Sequence, residues 1–229
     1  MGLYMFNTIL SLASIAQQAV IPVGDVQEWA VSSYGPEISF NIKRKGKKIG
    51  THEVTFEKIN DELHVETVTK IRVKFLFFNA YRFDYVSNEV WQNGNLISLI
   101  SLANDNGKKS EVTIDHNSDL VKVKTNNGAF ENSLGAPTYT TNHWNPNVLN
   151  AEVVLNTITG KNNSVEISQI GWDMVPTDNG ERRAIHHQYD GELNNISSWY
   201  DEKWRWVGLN FKGKDGSNIS YECNWCGDE

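Results

Sequence analysis

Three groups of residues in this chain have types and spacings that could do chemistry. The first is Cys223-Asn-Trp-Cys226, close to the carboxy terminus. A redox-active pair with this spacing needs a helix N-terminus or a nearby cation to stabilise its thiolate, but this motif follows a strand pattern. A c-type haem site would need histidine where Gly227 stands, and a zinc site would need a second set of ligands. A local disulfide or a pair of free thiols is the expectation, ahead of metal binding or catalysis.

The second group is the six histidines, His52, His64, His116, His143, His186 and His187. They form no HxH or HExxH. His186 and His187 are neighbours on an expected strand, so they point to opposite faces and cannot share an ion without a bulge. His143 and Trp144 could meet His187 and Asp190 through folding alone, which makes those four the candidate acid–base site. Hydrogen-bonded structural histidines are the ordinary alternative, and neither a metal nor a cofactor is expected. No GxSxG, P-loop or dinucleotide fingerprint is present. Paired carboxylates for glycoside hydrolysis depend on tertiary distance, and nothing singles out a pair.

The third group is aromatic: eight tryptophans, eight tyrosines and nine phenylalanines. Most should pack in the core and at sheet edges. Tyr81, Phe83 and Tyr85 alternate, and side chains on one strand face follow each other at about 6.6 Å, so they form a continuous wall. Together with His143, Trp144, Trp172, His187, Trp199 and Tyr200 they could line a concave, largely apolar ligand site.

Strands must position these residues. Ile38, Phe40 and Ile42 alternate with polar neighbours; His52, Val54 and Phe56 then share a face, as do Leu63, Val65, Ile71 and Val73. Turn signals at Lys45-Gly46, Asn60-Asp61, Asn93-Gly94 and Asn106-Gly107 separate these runs. The run from Phe75 through Leu76, Phe77 and Phe78 to Trp91 is a further, aromatic-rich segment. Gly128 to Thr141 reads as irregular, and Asn145-Pro146 as an N-cap with proline at the first helical position, opening a short helix near 146–150. Strands are expected again at Glu152–Thr159, Ser164–Met174, Arg183–Tyr189, Ile196–Tyr200, Trp204–Phe211 and Asn218–Cys223. Such closely spaced turns favour an all-β fold with minor α: a single curved antiparallel sheet forming an open barrel or half-barrel.

The chain has 229 residues, a net charge of -7 and a pI near 5.4. That balance argues against nucleic acid as a partner, which calls for a basic face. One basic cluster, Lys43, Arg44, Lys45, Lys47 and Lys48, reads as a solvated hairpin tip, with contact to an anion or a membrane surface as the alternative. Met5 to Ala16 is too short to span a bilayer and ends in small residues, so 1–16 reads as a signal peptide although no basic residue precedes Lys43. The expected organisation is then an extension over 17–36, a β domain over 37–223 and a tail over 224–229, with no transmembrane span. A periplasmic or secreted location follows from that leader.

The stretches IGTHEVTFEK from Ile49, NAYRFDYVSNEVWQNGNL from Asn79, HWNPNVLNAEVVLNTITGK from His143, SSWYDEKWRWVGLNF from Ser197 and DGSNISYE from Asp215 occur in an ordered set. The set resembles the exported bacterial family catalogued as domain of unknown function 6134, over about Ile38 to Glu222. The resemblance implies a curved antiparallel sheet similar to the half-barrels that carry lipoproteins and lipids, and no assigned activity. Relatives often carry cysteines at the positions of Asn95 and near Leu134; this chain has neither, so no equivalent crosslink is expected. The expected function is a non-enzymatic module that binds or carries an apolar or amphipathic molecule, such as a lipid, in the cell envelope. The alternatives are an enzyme of unknown class with a site near His143 and His187, and an envelope interaction protein that pairs through an exposed strand edge.

Overall fold

The structure is a computed structural model that describes residues 25–75, 78–116, 118–134 and 138–227, with only the backbone of 74, 75, 78 and 79. The expected signal peptide, residues 17–24 of the extension after it, and Leu76 and Phe77 of the aromatic run lie outside the described residues.

One helix, α1 (Val26–Tyr34), precedes the sheet, inside the segment read as an extension. Asp25 caps it, its carboxylate accepting from the backbone N–H of Gln27 and Glu28 at 3.0 and 3.2 Å. Val26, Ala30 and Tyr34 recur every four residues and are buried, which is why so short a helix holds in place.

The strands are β1 (Glu37–Arg44), β2 (Lys47–Ile59), β3 (Glu62–Phe75), β4 (Phe78–Gln92), β5 (Asn95–Asp105), β6 (Lys108–Ile114), β7 (Leu120–Thr125) and β8 (Gly128–Ser133). They continue with β9 (Tyr139–Thr140), β10 (Val153–Leu155), β11 (Asn162–Thr177), β12 (Gly180–Gly191), β13 (Ile196–Asp201), β14 (Trp206–Lys212) and β15 (Asn218–Trp225). All fifteen join one sheet, in the order β8-β7-β6-β5-β4-β3-β2-β1-β15-β14-β13-β12-β11-β10-β9. Two meanders are thus joined where the first strand pairs with the last. Tight turns with positive φ at Lys45-Gly46, Asn93-Gly94 and Asn106-Gly107 set the register of the first meander.

The sheet curls until its ends meet. Asn132 of β8 donates its side-chain amide to the Gly160 carbonyl at 2.7 Å, and Asn162 of β11 donates to the Ser133 carbonyl at 3.0 Å. At Gly160 a Cβ would fall 2.1 Å from a Val123 methyl, so glycine is what lets the turn after β10 lie against β7. Side-chain amides, and not a strand ladder, bridge this seam, which makes the fold an open barrel.

Two local expectations need correction. Gly128 to Thr141 is not wholly irregular, because it contains β8 and β9. The strand expected over Glu152–Thr159 shrinks to β10, because the Asn156 side chain accepts from the N–H of Ile158 and Thr159, both at 3.0 Å, and turns the chain. The short helix expected near 146–150 is present as a 3₁₀ helix, Pro146–Asn150, capped by Asn145.

Candidate functional site

The inward faces of the strands enclose an interior with two different halves. In one half the chain itself is the filling. The segment from Tyr139 to Asn150 starts as β9 beside β10 and continues through the interior, burying Thr140, Asn142, His143, Trp144, Asn145, Val148 and Leu149. An irregular segment cannot satisfy its own backbone, so its polar groups need partners on the surrounding strands. Tyrosines supply several of them. The Tyr34 hydroxyl donates to the Trp144 carbonyl at 2.8 Å and accepts from the Trp206 N–H at 2.8 Å, while the Tyr200 hydroxyl donates to the His143 carbonyl at 2.9 Å.

Glu89 on β4 pins the same segment from the other side. Its two oxygens accept from the Asn142 amide at 2.6 Å, the Thr140 hydroxyl at 3.1 Å, and the indole N–H groups of Trp91 and Trp144 at 2.8 and 3.3 Å. Burial pushes the Glu89 carboxyl above the usual carboxylate range, and these four donors pull against that shift. Burial also holds the nearby histidines neutral. His52, paired with the Thr69 hydroxyl at 2.7 Å, is brought down to about 3 by burial and then by His143; His143 itself is brought down to about 4 by burial.

The other half of the interior is open. Where the β1–β2, β3–β4 and β14–β15 hairpins end, a cavity of about 610 Å³ lies between Ile49, Ile71, Val73, Tyr81, Phe83, Phe211, Ile219 and Tyr221. Ile71, Ile219 and Ile42 form a buried cluster that is separate from the main core. Each wall residue sits on the inward face for the same reason as the core: Ile71 continues the alternation of Leu63, Val65, Thr67 and Thr69 along β3. The rim is polar. Arg44 pairs with Asp215 and donates to the Ser217 hydroxyl at 2.9 Å; Lys214 reaches Asp105 on the other side of the opening; Lys212 donates to the Asn218 side chain. Apolar walls under a cationic rim suit the holding of a molecule.

The nine candidate lining residues fall into three places. Tyr81 and Phe83 line the cavity. Tyr85 stacks beneath Phe83 with centroids 6.4 Å apart, but it is buried, its hydroxyl donating to the Thr157 hydroxyl at 2.7 Å. His143 and Trp144 belong to the plug, and Tyr200, on β13, bonds to it. His187 is buried beside Tyr200, ring centroids 5.8 Å apart, and burial brings it down to about 4. Trp172 and Trp199 face outward, Trp172 under the Arg183 guanidinium and Trp199 stacked on His186.

The four-residue acid–base arrangement is not assembled. Asp190 is exposed and lies on the opposite face of β12 from His187 and Tyr189. His143 meets Tyr189, at 3.3 Å, and no carboxylate among the described residues. Among the described residues no group of three or more His, Cys, Asp and Glu could hold a metal ion. Cys223 and Cys226 are joined by a disulfide.

Sequence reasoning missed Ile49, Ile71, Phe211, Ile219 and Tyr221 as site residues, and Arg44, Lys212 and Lys214 as its rim. The signal was available for some: Arg44 belongs to the basic cluster, and Phe211 and Tyr221 are aromatics near the ends of expected strands.

Comparison with known proteins agrees with the fold. The family described as Domain of unknown function (DUF6134) matches residues 40–224, and the chain belongs to it. No curated protein matches the chain. No helix among the described residues is long and apolar enough to cross a membrane.

Proposed function

We propose that this DUF6134 protein binds an apolar or amphipathic small molecule, such as a lipid, in the cavity at the open end of its barrel, and that it does so outside the cytoplasm. The observation that carries this reading is the cavity of about 610 Å³ walled by Ile49, Ile71, Phe83, Phe211 and Ile219. Its volume falls within the range of sites that hold one small ligand, and its lining is of the mainly apolar kind such sites have. Burying an acyl chain there would contribute about 0.8 kcal/mol per methylene, so a modest chain suffices for useful affinity. The Cys223–Cys226 disulfide supports the extracytoplasmic part, because disulfides persist in oxidising compartments.

The test is native mass spectrometry of the protein purified from the envelope fraction of its own host, before and after mild heating in detergent. A bound mass in one-to-one ratio that dissociates on heating is the expected result. A bare protein in both spectra, with nothing released into organic solvent, would overturn the reading, and recovery solely from the cytoplasmic fraction would overturn the location.

A further inference from the structure

The molecule carries a net charge of -7, yet the lining of this cavity includes three cations, Arg44, Lys212 and Lys214, against one carboxylate, Asp215. Arg44 is the member of the sequence's basic cluster that lines the cavity, and Lys45, Lys47 and Lys48 follow it on the same hairpin. Resting on the reading of this cavity as a ligand site, we propose that its occupant is an acid: a single-chain amphiphile whose carboxylate or phosphate head meets Arg44, Lys212 and Lys214 while its chain lies between Ile71, Phe83 and Phe211.

The rim already shows the chemistry. Arg44 holds the Asp215 carboxylate, and Lys214, extended from the β14–β15 turn, holds the Asp105 carboxylate at the end of β5. These are the contacts an acidic head would make in their place. Lys212 meets an amide oxygen on Asn218 and, among the described residues, no carboxylate, so it is a cation without a counter-charge. Salt links at an exposed rim are weak and exchange readily, so an acidic head could take over Lys214 at little cost. A basic head would instead stand among like charges, and a neutral one would gain no charge pairing from the cations. A volume of about 610 Å³ suits one small ligand, which favours one chain over several.

Titration calorimetry on the full chain, below the critical micelle concentration and at low ionic strength, tests this with four probes on one chain: oleate, oleyl phosphate, oleyl alcohol and oleylamine. The expected result is one-to-one binding of both acids, roughly tenfold tighter than the alcohol, with the amine weakest. The double variant K212Q/K214Q, at exposed positions, should weaken the acids about fivefold to tenfold and the alcohol far less, closing the gap between them. R44Q should act in the same direction, with thermal melting to check its fold. Equal binding of acid and alcohol, or preference for the amine, would overturn the acidic head and leave the cavity reading standing. Displacement of oleate by inorganic phosphate alone would overturn the amphiphile in favour of a free anion. Binding of none of the four probes would overturn the cavity reading itself.

Discussion

Along β3 and β4 the inward side chains change company halfway. Leu63, Val65 and Trp91 join the main core around Trp144, whereas Ile71, Val73, Tyr81 and Phe83 join the separate cluster at the open end. The strands are continuous and the face is the same, so the difference lies in what fills the space. In the plugged half an irregular segment enters, and its polar groups recruit Tyr34, Tyr200 and Glu89 as partners. At the open end the turn after β10 contributes only Ile158 to the cavity lining, and the walls are mostly hydrocarbon and aromatic rings. Burying polar backbone without partners costs free energy, so the plug demands polar groups around it. An apolar cavity makes no such demand and leaves its polar residues to the rim.

If the two halves are independent, the largest effect should come from the plug. Trp144→Ala removes a fully buried side chain that packs on Trp91 and Phe56 and should cost about 3–5 kcal/mol in urea unfolding. Probe binding at the open end should survive in the fraction that stays folded. Joint loss of binding in folded protein would show that the plug also shapes the cavity. Glu89→Gln should cost less, about 2–3 kcal/mol, because one acceptor oxygen becomes an amide facing donors. A loss below about 0.5 kcal/mol would mean that Glu89 is not the anchor its four bonds imply.

How far the sequence could anticipate this follows the same division. The paired strands were legible because period-two alternation and the Asn-Gly turns are local signals: Ile38, Phe40, His52, Val54 and Phe56 all face inward. The plug was not, because its order comes from partners distant in sequence, such as Tyr200 for His143. Trp144 in the plug, and Tyr200, the partner of its neighbour, therefore looked like lining for a ligand. The cavity was half legible. Tyr81 and Phe83 were visible as an aromatic row on one strand, but Phe211, Ile219 and Tyr221 join them only through the pairing of β1 with β15, which closes the two meanders across the whole chain length. Asp190 illustrates the reverse error: proximity in sequence to His187 suggested a shared site, while strand parity places the two on opposite faces.

Acid should sharpen the contrast next. His52, His143 and His187 all stay neutral in the folded protein, held down to about 3, 4 and 4, against an ordinary value near 6.5. The unfolded chain therefore binds more protons, and the stability these groups allow is present above about pH 6.5 and lost as pH falls toward 4. In His143→Gln the difference in unfolding free energy between pH 7 and pH 5 should shrink, on the order of 1–2 kcal/mol. An unchanged slope would show that His143 gains its proton without resistance and that the plugged half is wetter than its packing indicates.

The smallest expected change in stability, and the one that separates the halves most cleanly, is at the cavity wall. Phe211 is partly buried, touches both the main core and the separate cluster, and forms part of the cavity wall, so Phe211→Ala mainly widens the cavity. The transfer term alone should then apply, discounted for exposure, at about 1 kcal/mol, against about 3–5 for a packed aromatic. Affinity for an oleyl chain should fall more than stability does, because the lost ring is a wall of the site. A loss above about 3 kcal/mol with unchanged binding would invert the comparison: Phe211 would be core, and the open end would be a packing defect with no ligand to hold.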